Sequence, residues 1–330
     1  MSRLRNPATC SLLLVLALLG LGSLSSARAT EAIAAGNPRH ATYRDKAPLE
    51  KFFAPDLQKR LEATVTQLGF GSAVREKRLG IALVDVTNIA RPRYAAINPN
   101  EMLYAASLPK IAVLFAAFAK MEAGQMPRTK KTLAQLRRMI RYSSNIDASA
   151  VMNQVGKPYI AKLLQNPEYR LYDRSRGGGL WAGKNYGSGG VWRRDPLRNL
   201  SHAATPLQAA RFYYMLNRGE LVSARASAEM LAILDVPGIS HKFVAGMRRA
   251  GDSARIHRKS GSWINWHSDS ALIRHRGRSF ILVALCKEPN GNEWLQRLTF
   301  AVDSFLQKTD VEGEEVRWIA RSNSPTIRVR

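Results

Sequence analysis

Cysteine is nearly missing from this sequence. Only Cys10 and Cys286 occur among the 330 residues. Cys10 falls in a leader expected to be removed, so an intramolecular disulfide is not expected to staple the fold. Cys286 ends the apolar run Phe280-Ile281-Leu282-Val283-Ala284-Leu285-Cys286, which suits a buried core thiol better than a nucleophile. Acidic residues are also scarce, 25 against 50 Lys and Arg, for a formal net charge of +25. The six histidines, His40, His202, His241, His257, His267 and His275, form neither H-E-x-x-H nor a Cys/His pattern. A metal site therefore has no support in the sequence, and no cofactor is expected. There is no G-x-S-x-G elbow, which argues against a Ser-His-Asp hydrolase. After the first thirty residues no stretch is long and apolar enough to cross a bilayer. There is no internal repeat.

What is present begins with a leader. Arg3 and Arg5 are followed by an apolar run from about Leu12 to Leu24 and then by Ala27-Arg28-Ala29. This is the pattern of a secretory signal peptide, residues 1–29, cleaved after Ala29. The expected destination is periplasmic or extracellular, with no stable membrane span after cleavage. In that setting the basic surface is read for an anionic cell-wall polymer rather than nucleic acid; a merely solvated basic surface is the alternative.

The hydrophobic fraction of 45% is that of a globular chain. Leu57, Leu61, Val65 and Leu68 recur at helical spacing. Leu79–Val86 and Tyr94–Ile97 read as a β-hairpin. Helices are expected at Leu108–Met121, Ala148–Val155, Pro206–Leu216 and Ala224–Leu234. Residues 173–200, rich in Gly, Arg and aromatics, read as a long ordered loop, uncommon enough to suggest function. Strands return at Ala254–Lys259, Ser268–His275 and Ser279–Leu285, and a last helix carries Trp294, Leu298, Val302 and Phe305. The expected fold is α+β: an antiparallel five-stranded sheet flanked by helices plus an all-helical lobe. The hydrolase domain spans 30–308, with a sheet lobe of about 50–106 and 250–308 and a helical lobe of about 107–249. Residues 309–330 read as a polar basic tail.

Three short motifs stand out. Ser107-Leu108-Pro109-Lys110 is the only S-x-x-K, Ser143-Ser144-Asn145 the only S-x-N and Lys259-Ser260-Gly261 the only K-[ST]-G. Each alone is weak; together, in this order and at element boundaries, they point to acyl transfer. Positions i and i+3 share a helix face, so Lys110 can reach the Ser107 hydroxyl. A serine hydroxyl needs a base, and a lysine serves only when neutral, a state favoured by burial and a second cation such as Lys259. The plain alternative makes Ser107 a helix N-cap. Ser143 can relay a proton and Asn145 can hold a substrate carbonyl, with helix capping again as the alternative. Lys259 and Ser260 can bind a carboxylate, and Gly261 admits an extended substrate along the strand edge. The backbone N–H groups of Ser107 and Ser262 can form an oxyanion hole. The alternative there is a charged edge-strand tip, Arg258-Lys259.

These residues resemble the penicillin-recognising serine hydrolases, in particular class A β-lactamases and related D,D-peptidases. Tyr104-Ala105-Ala106-Ser107 resembles the nucleophile segment. Ala203-Ala204-Thr205-Pro206-Leu207-Gln208-Ala209-Ala210 is similar to the segment after the Ω-loop, and Asp269-Ser270-Ala271-Leu272-Ile273 to the strand after the K-T-G motif. The resemblance covers most of residues 50–308. It implies acylation of Ser107 by a β-lactam or a D-Ala-D-Ala-type peptide, with Lys110 as base, Ser143 and Asn145 as second motif, and Lys259, Ser260, Gly261 and Ser262 as the carboxylate and oxyanion strand.

The sequence departs from that pattern in three places. The stretch between Lys110 and Ser143 is short for a class A enzyme. Ser144 stands where Asp is usual. No glutamate occurs in residues 177–201, where E-x-x-L-N is expected; the nearest echo is Asp195-Pro196-Leu197-Arg198-Asn199. Asp195 is thus a possible deacylating base, one methylene shorter, with pairing to Arg193 or Arg194 as the competing role. Three functions follow: a β-lactam hydrolase, a D,D-peptidase or slow penicillin-binding protein, and an inactive cell-wall or surface-binding protein. Trp181, Trp192, Trp263 and Trp266 flank the site segments and can stack on substrate or simply pack.

Overall fold

A computed structural model describes residues 45–187, 189–251 and 253–322, with side chains through residue 308. The expected signal segment lies outside the described residues. All of these residues belong to one compact unit.

The chain opens with α1 (Pro55–Gln67) and the short α2 (Gly71–Arg75), then β1 (Leu79–Asp85), β2 (Arg93–Ile97) and β3 (Leu103–Tyr104). Four helices follow: α3 (Lys110–Glu122), α4 (Lys130–Arg141), α5 (Asn145–Val155) and α6 (Lys157–Leu164). The glycine-rich stretch contains β4 (Tyr172–Asp173), β5 (Gly178–Gly179) and β6 (Trp181–Ala182), and leads to β7 (His202–Ala204). Next come α7 (Pro206–Asn217), α8 (Ala224–Leu234) and α9 (Phe243–Ala250). The chain closes with β8 (Arg255–Trp263), β9 (Trp266–His275), β10 (Arg278–Lys287) and α10 (Gly291–Ser322).

The five long strands form one antiparallel sheet in the order β2-β1-β10-β9-β8. Alternation along the strands assigns their two faces. Ile81, Leu83, Ala271, Ile273, Leu282 and Ala284 pack with Leu57 and Leu61 of α1, Phe243 and Met247 of α9, and Leu295, Leu298 and Val302 of α10. Ala82, Val84, Leu272, Ile281 and Val283 face the other way, into a core shared with α3 and α7. Helix α3 is enclosed on every side, with Ile111 through Phe118 fully buried. That explains its unbroken apolar sequence.

Helices α2, α4, α6 and α9 are additions to the sequence reading. In α4 a buried stripe of Leu136, Met139 and Ile140 sits among basic residues, and Thr129 caps it by accepting from the Thr132 N–H at 3.1 Å. Helix α10 continues past residue 308, so part of the expected tail extends the last helix. Cys286 is buried in the sheet, and burial pushes its thiol up to about 12.

Candidate active site

Ser107 stands in the turn at 106–109 that joins β3 to α3. Pro109, not Ser107, occupies the N-cap of α3, and no side chain caps that helix. The N-cap alternative for Ser107 is therefore not realised, and its hydroxyl points to Lys110 instead. Ala106, immediately before it, has φ of 49°, a left-handed conformation costing an alanine on the order of 1 kcal/mol. The backbone accepts that strain where the chain turns to present the serine.

Lys110 begins α3 and is fully buried. Its Nζ reaches Ser107 Oγ at 3.1 Å, Ser143 O at 2.6 Å, Ser143 Oγ at 3.2 Å and Asn145 Oδ1 at 2.8 Å. None of these partners is a carboxylate, so desolvation goes uncompensated and lowers the Lys110 pKa to about 7.

The second motif divides its labour. Ser144 is the N-cap of α5, accepting from the Asp147 N–H at 3.2 Å. Ser143 is thereby free of capping; its φ of 58° turns it inward. Its hydroxyl lies between two lysines, with Lys259 Nζ at 3.0 Å on the far side. Lys259 is also buried and donates to Ser260 O at 2.6 Å. Burial, then repulsion from Lys110 and Arg258, holds its pKa well below the usual lysine value.

Strand β8 carries Lys259, Ser260, Gly261 and Ser262 past Ser107. A Cβ on Gly261 would sit 2.2 Å from Ala105 O and 2.6 Å from Ser107 N. Only glycine allows this approach of β8 to the serine turn. Gly261→Ala is thus expected to push the strand off Ser107 and to slow any reaction of that serine about a hundredfold, as small misplacements of reacting groups do. The check is a time course of labelling by a serine-reactive fluorescent probe, alongside a melting curve; unchanged labelling would show that the contact has no bearing on the site.

Arg258 is not a solvated edge-strand tip. It is buried, and its guanidinium bonds Asp269 Oδ1 at 2.8 Å through Nε and Asp269 Oδ2 at 2.7 Å through Nη2. It also donates to Ile239 O and His241 O, tying the segment before α9 to the sheet. That segment delivers Lys242, which the sequence reading missed. Lys242 Nζ donates to Gly261 O at 2.6 Å, Ser262 Oγ at 2.8 Å and Ser268 O at 3.2 Å. Burial lowers its pKa to about 8. It braces the end of β8 from behind.

Asp195 has another task. Its carboxylate accepts from the N–H groups of Leu197 at 2.9 Å, Arg198 at 3.1 Å and Leu200 at 2.7 Å, and from the Tyr172 hydroxyl at 3.3 Å. Among the described residues it pairs with neither Arg193 nor Arg194, and it bonds none of Ser107, Lys110, Ser143 or Lys259. It organises its own loop, and of the two roles offered for it the pairing with Arg193 or Arg194 is not realised among the described residues.

The same loop sends in Tyr186, which no motif flagged. Its backbone exchanges hydrogen bonds with the Ser149 hydroxyl at 2.9 and 3.0 Å. Lys110 Nζ lies 4.4 Å over its ring, and the His202 ring stacks on it at 4.2 Å. Burial holds His202 at about 3, so the imidazole is neutral. Of the four tryptophans, Trp181 is buried and donates to Arg193 O at 3.1 Å, and Trp266 meets Tyr104 edge-on. Trp263 and Trp192 are exposed.

Comparison with known proteins gives a consistent frame. Residues 131–302 match the sequence profile described as the beta-lactamase enzyme family. PBP-A is 17% identical, with 78% of this chain and 97% of that chain covered and a TM-score of 0.58. A PBP-A mutant, seen as an acyl-enzyme complex with penicillin G, gives 17%, 78%, 98% and 0.57 in the same order. A beta-lactamase from Sphaerobacter thermophilus is 16% identical, with 77% and 98% covered and a TM-score of 0.57. At these identities the structures establish a shared fold. No curated protein matches the chain. The profile match spans more than half of the sequence, and the chain belongs to the beta-lactamase enzyme family.

Proposed function

We propose that this protein is an exported serine hydrolase, acylated at Ser107 by the carbonyl of a β-lactam. The observation that carries the reading is Lys110 Nζ, 3.1 Å from Ser107 Oγ, buried and without a carboxylate partner. Neutral Lys110 takes the Ser107 proton as Oγ bonds the lactam carbonyl carbon. The C–N bond then breaks, and a proton passes through Ser143 Oγ to the departing nitrogen. The N–H groups of Ser107 and Ser262 hold the developing oxyanion, and Lys259 with Ser260 takes the substrate carboxylate. Water completes hydrolysis by releasing the acyl group. The site lies between a sheet lobe and a helical lobe.

A second reading keeps the acylation and slows the release: a D,D-peptidase or slow penicillin-binding protein acting on cell-wall peptides. The use of Asp195 as a turn organiser favours it. The surplus of basic side chains suits residence near an anionic wall polymer.

One experiment separates these readings. The mature protein and Ser107→Ala are mixed with penicillin G, and intact mass and substrate loss are followed. Turnover by the parent alone is the expected result for the hydrolase. A lasting adduct without turnover selects the slow binder. Absence of both adduct and turnover would sink the acylation chemistry and leave a binding protein.

A further inference from the structure

Two cavities of similar size open beside α9, and they differ in how their charges are met. One, of about 560 Å³, is lined by Arg255 and Asp235, which bond each other at 2.8 and 3.0 Å. It carries its own counter-ion. The other, of about 620 Å³, lies where α1, α9 and α10 meet. These helices cover the sheet face turned away from α3, so the sheet separates this cavity from Ser107. Its charged lining residues are Arg249, Arg297 and Lys308. Among the described residues no carboxylate pairs with any of the three. Elsewhere arginines do find acids, scarce as these are: Arg78 meets Glu288, Arg170 meets Asp173 and Arg218 meets Glu220.

The two guanidinium groups are held in place without being neutralised. Arg249 lies 5.1 Å over the Phe300 ring. Arg297 lies 5.6 Å over the Phe70 ring, which is stacked on Trp294 at 4.1 Å. Arg297 Nη2 donates to Leu68 O at 3.2 Å, which uses one of the donors of its fork. Ring faces and a carbonyl orient these cations and leave their charge open to a ligand. The hydroxyls in the lining are already committed: Thr64 donates to Arg60 O and Ser304 to Phe300 O, both at 2.8 Å. Recognition of an anion therefore falls to the three cations. Between them the wall is apolar, made by Leu68, Phe300, Ala301 and Phe305.

We propose that this cavity is a second binding site, separate from the Ser107 site, for a small amphiphile with a phosphoryl head and one apolar chain. Three cations with no carboxylate call for more than one negative charge. A phosphomonoester supplies it, together with oxygens that match the guanidinium fork. The apolar wall supplies the contact that a free phosphate ion would leave unused. The volume is that of a small-molecule site. The proposal does not depend on the chemistry at Ser107.

The test is calorimetric titration of the mature protein with octyl phosphate, octyl glucoside and inorganic phosphate, each below any micelle-forming concentration. Octyl phosphate is expected to bind about tenfold tighter than either control, because one lacks the charge and the other the chain. Arg249→Gln with Arg297→Gln should weaken octyl phosphate about tenfold and leave octyl glucoside within about threefold. Lys308→Gln, a milder change, should weaken octyl phosphate about threefold. Lys259→Met removes a cation from the Ser107 site and should leave octyl phosphate binding unchanged. Melting curves verify that each variant is folded. No binding of octyl phosphate, equal binding of either control, or an affinity untouched by the arginine changes would overturn the proposal. So would loss of binding in Lys259→Met, which would put the anion beside Ser107 instead.

Discussion

Replacing Lys110 with methionine is expected to slow acylation of Ser107 by about a thousandfold, within the range that a general base contributes. Methionine keeps the straight apolar stem and removes the only base within hydrogen-bond reach of Ser107 Oγ among the described residues. The pH profile of the parent supplies an independent signature. The Lys110 pKa falls from 10.5 to about 7, and only the neutral amine accepts a proton. Acylation should therefore drop about tenfold per pH unit below about 6 and level off above about 8. The methionine variant should lose that dependence. The substitution should affect stability in the opposite sense to activity. A lysine whose pKa is lowered by folding binds fewer protons folded than unfolded, so its penalty is full below about 7 and is relieved as pH rises towards 10.5. Lys110→Met should accordingly melt higher than the parent at neutral pH. A variant that acylates normally, or a parent with a flat profile between pH 5 and 8, would remove Lys110 from the role of base.

Asp269→Ala is expected to be the most damaging single change outside the neighbourhood of Ser107. The carboxylate is fully buried and accepts from Arg258, from Phe243 N at 3.2 Å and from Ser270 N at 3.0 Å. Its loss would leave the Arg258 guanidinium buried without a countercharge, at a cost of about 3–5 kcal/mol. For a domain of this size that lowers the melting temperature by about 10 °C. Adding Arg258→Met should recover much of the loss, because an apolar side chain tolerates the site that an unpaired cation does not. Thermal melts of both variants check this. A loss below about 1 kcal/mol would mean that water reaches the pair. Recovery of the melt should not restore acylation fully, since Arg258 also holds the segment that places Lys242 behind Gly261.

The sheet was legible because its strands alternate and because two faces of helices cover it, giving β1 and β10 nearly continuous apolar runs. Helix α4 was hidden by charge: six Lys and Arg fall in or next to it, and only the buried stripe of Leu136, Met139 and Ile140 betrays its packing. Within the site, Ser107 with Lys110 was readable because i and i+3 meet on a turn by local geometry alone. The adjacency of Ser143 to Lys259, 116 positions apart, came only through the resemblance of their motifs, since spacing says nothing about tertiary approach. Tyr186 and Lys242 lie outside any local pattern. Tyr186 matters through a stack assembled from two distant segments, and Lys242 through carbonyls on two strands. A buried aromatic in a glycine-rich loop was the one available hint for the first. Asp195 shows the converse limit: its sequence context echoes a catalytic pattern, but nothing in the sequence told that the backbone of the following five residues holds its carboxylate.

That hold on Asp195 constrains which acid position 195 can carry. Lengthening the side chain to glutamate would move the carboxylate away from the N–H groups of Leu197, Arg198 and Leu200, each of which would then need a new partner. The loop that suffers is the one that also seats Tyr186 above Lys110. A single step at position 195 would therefore exchange an ordered base-holding loop for a carboxylate in a loosened one. Position 195 is held by the backbone around it, and an acid added elsewhere on the loop would leave that scaffold intact.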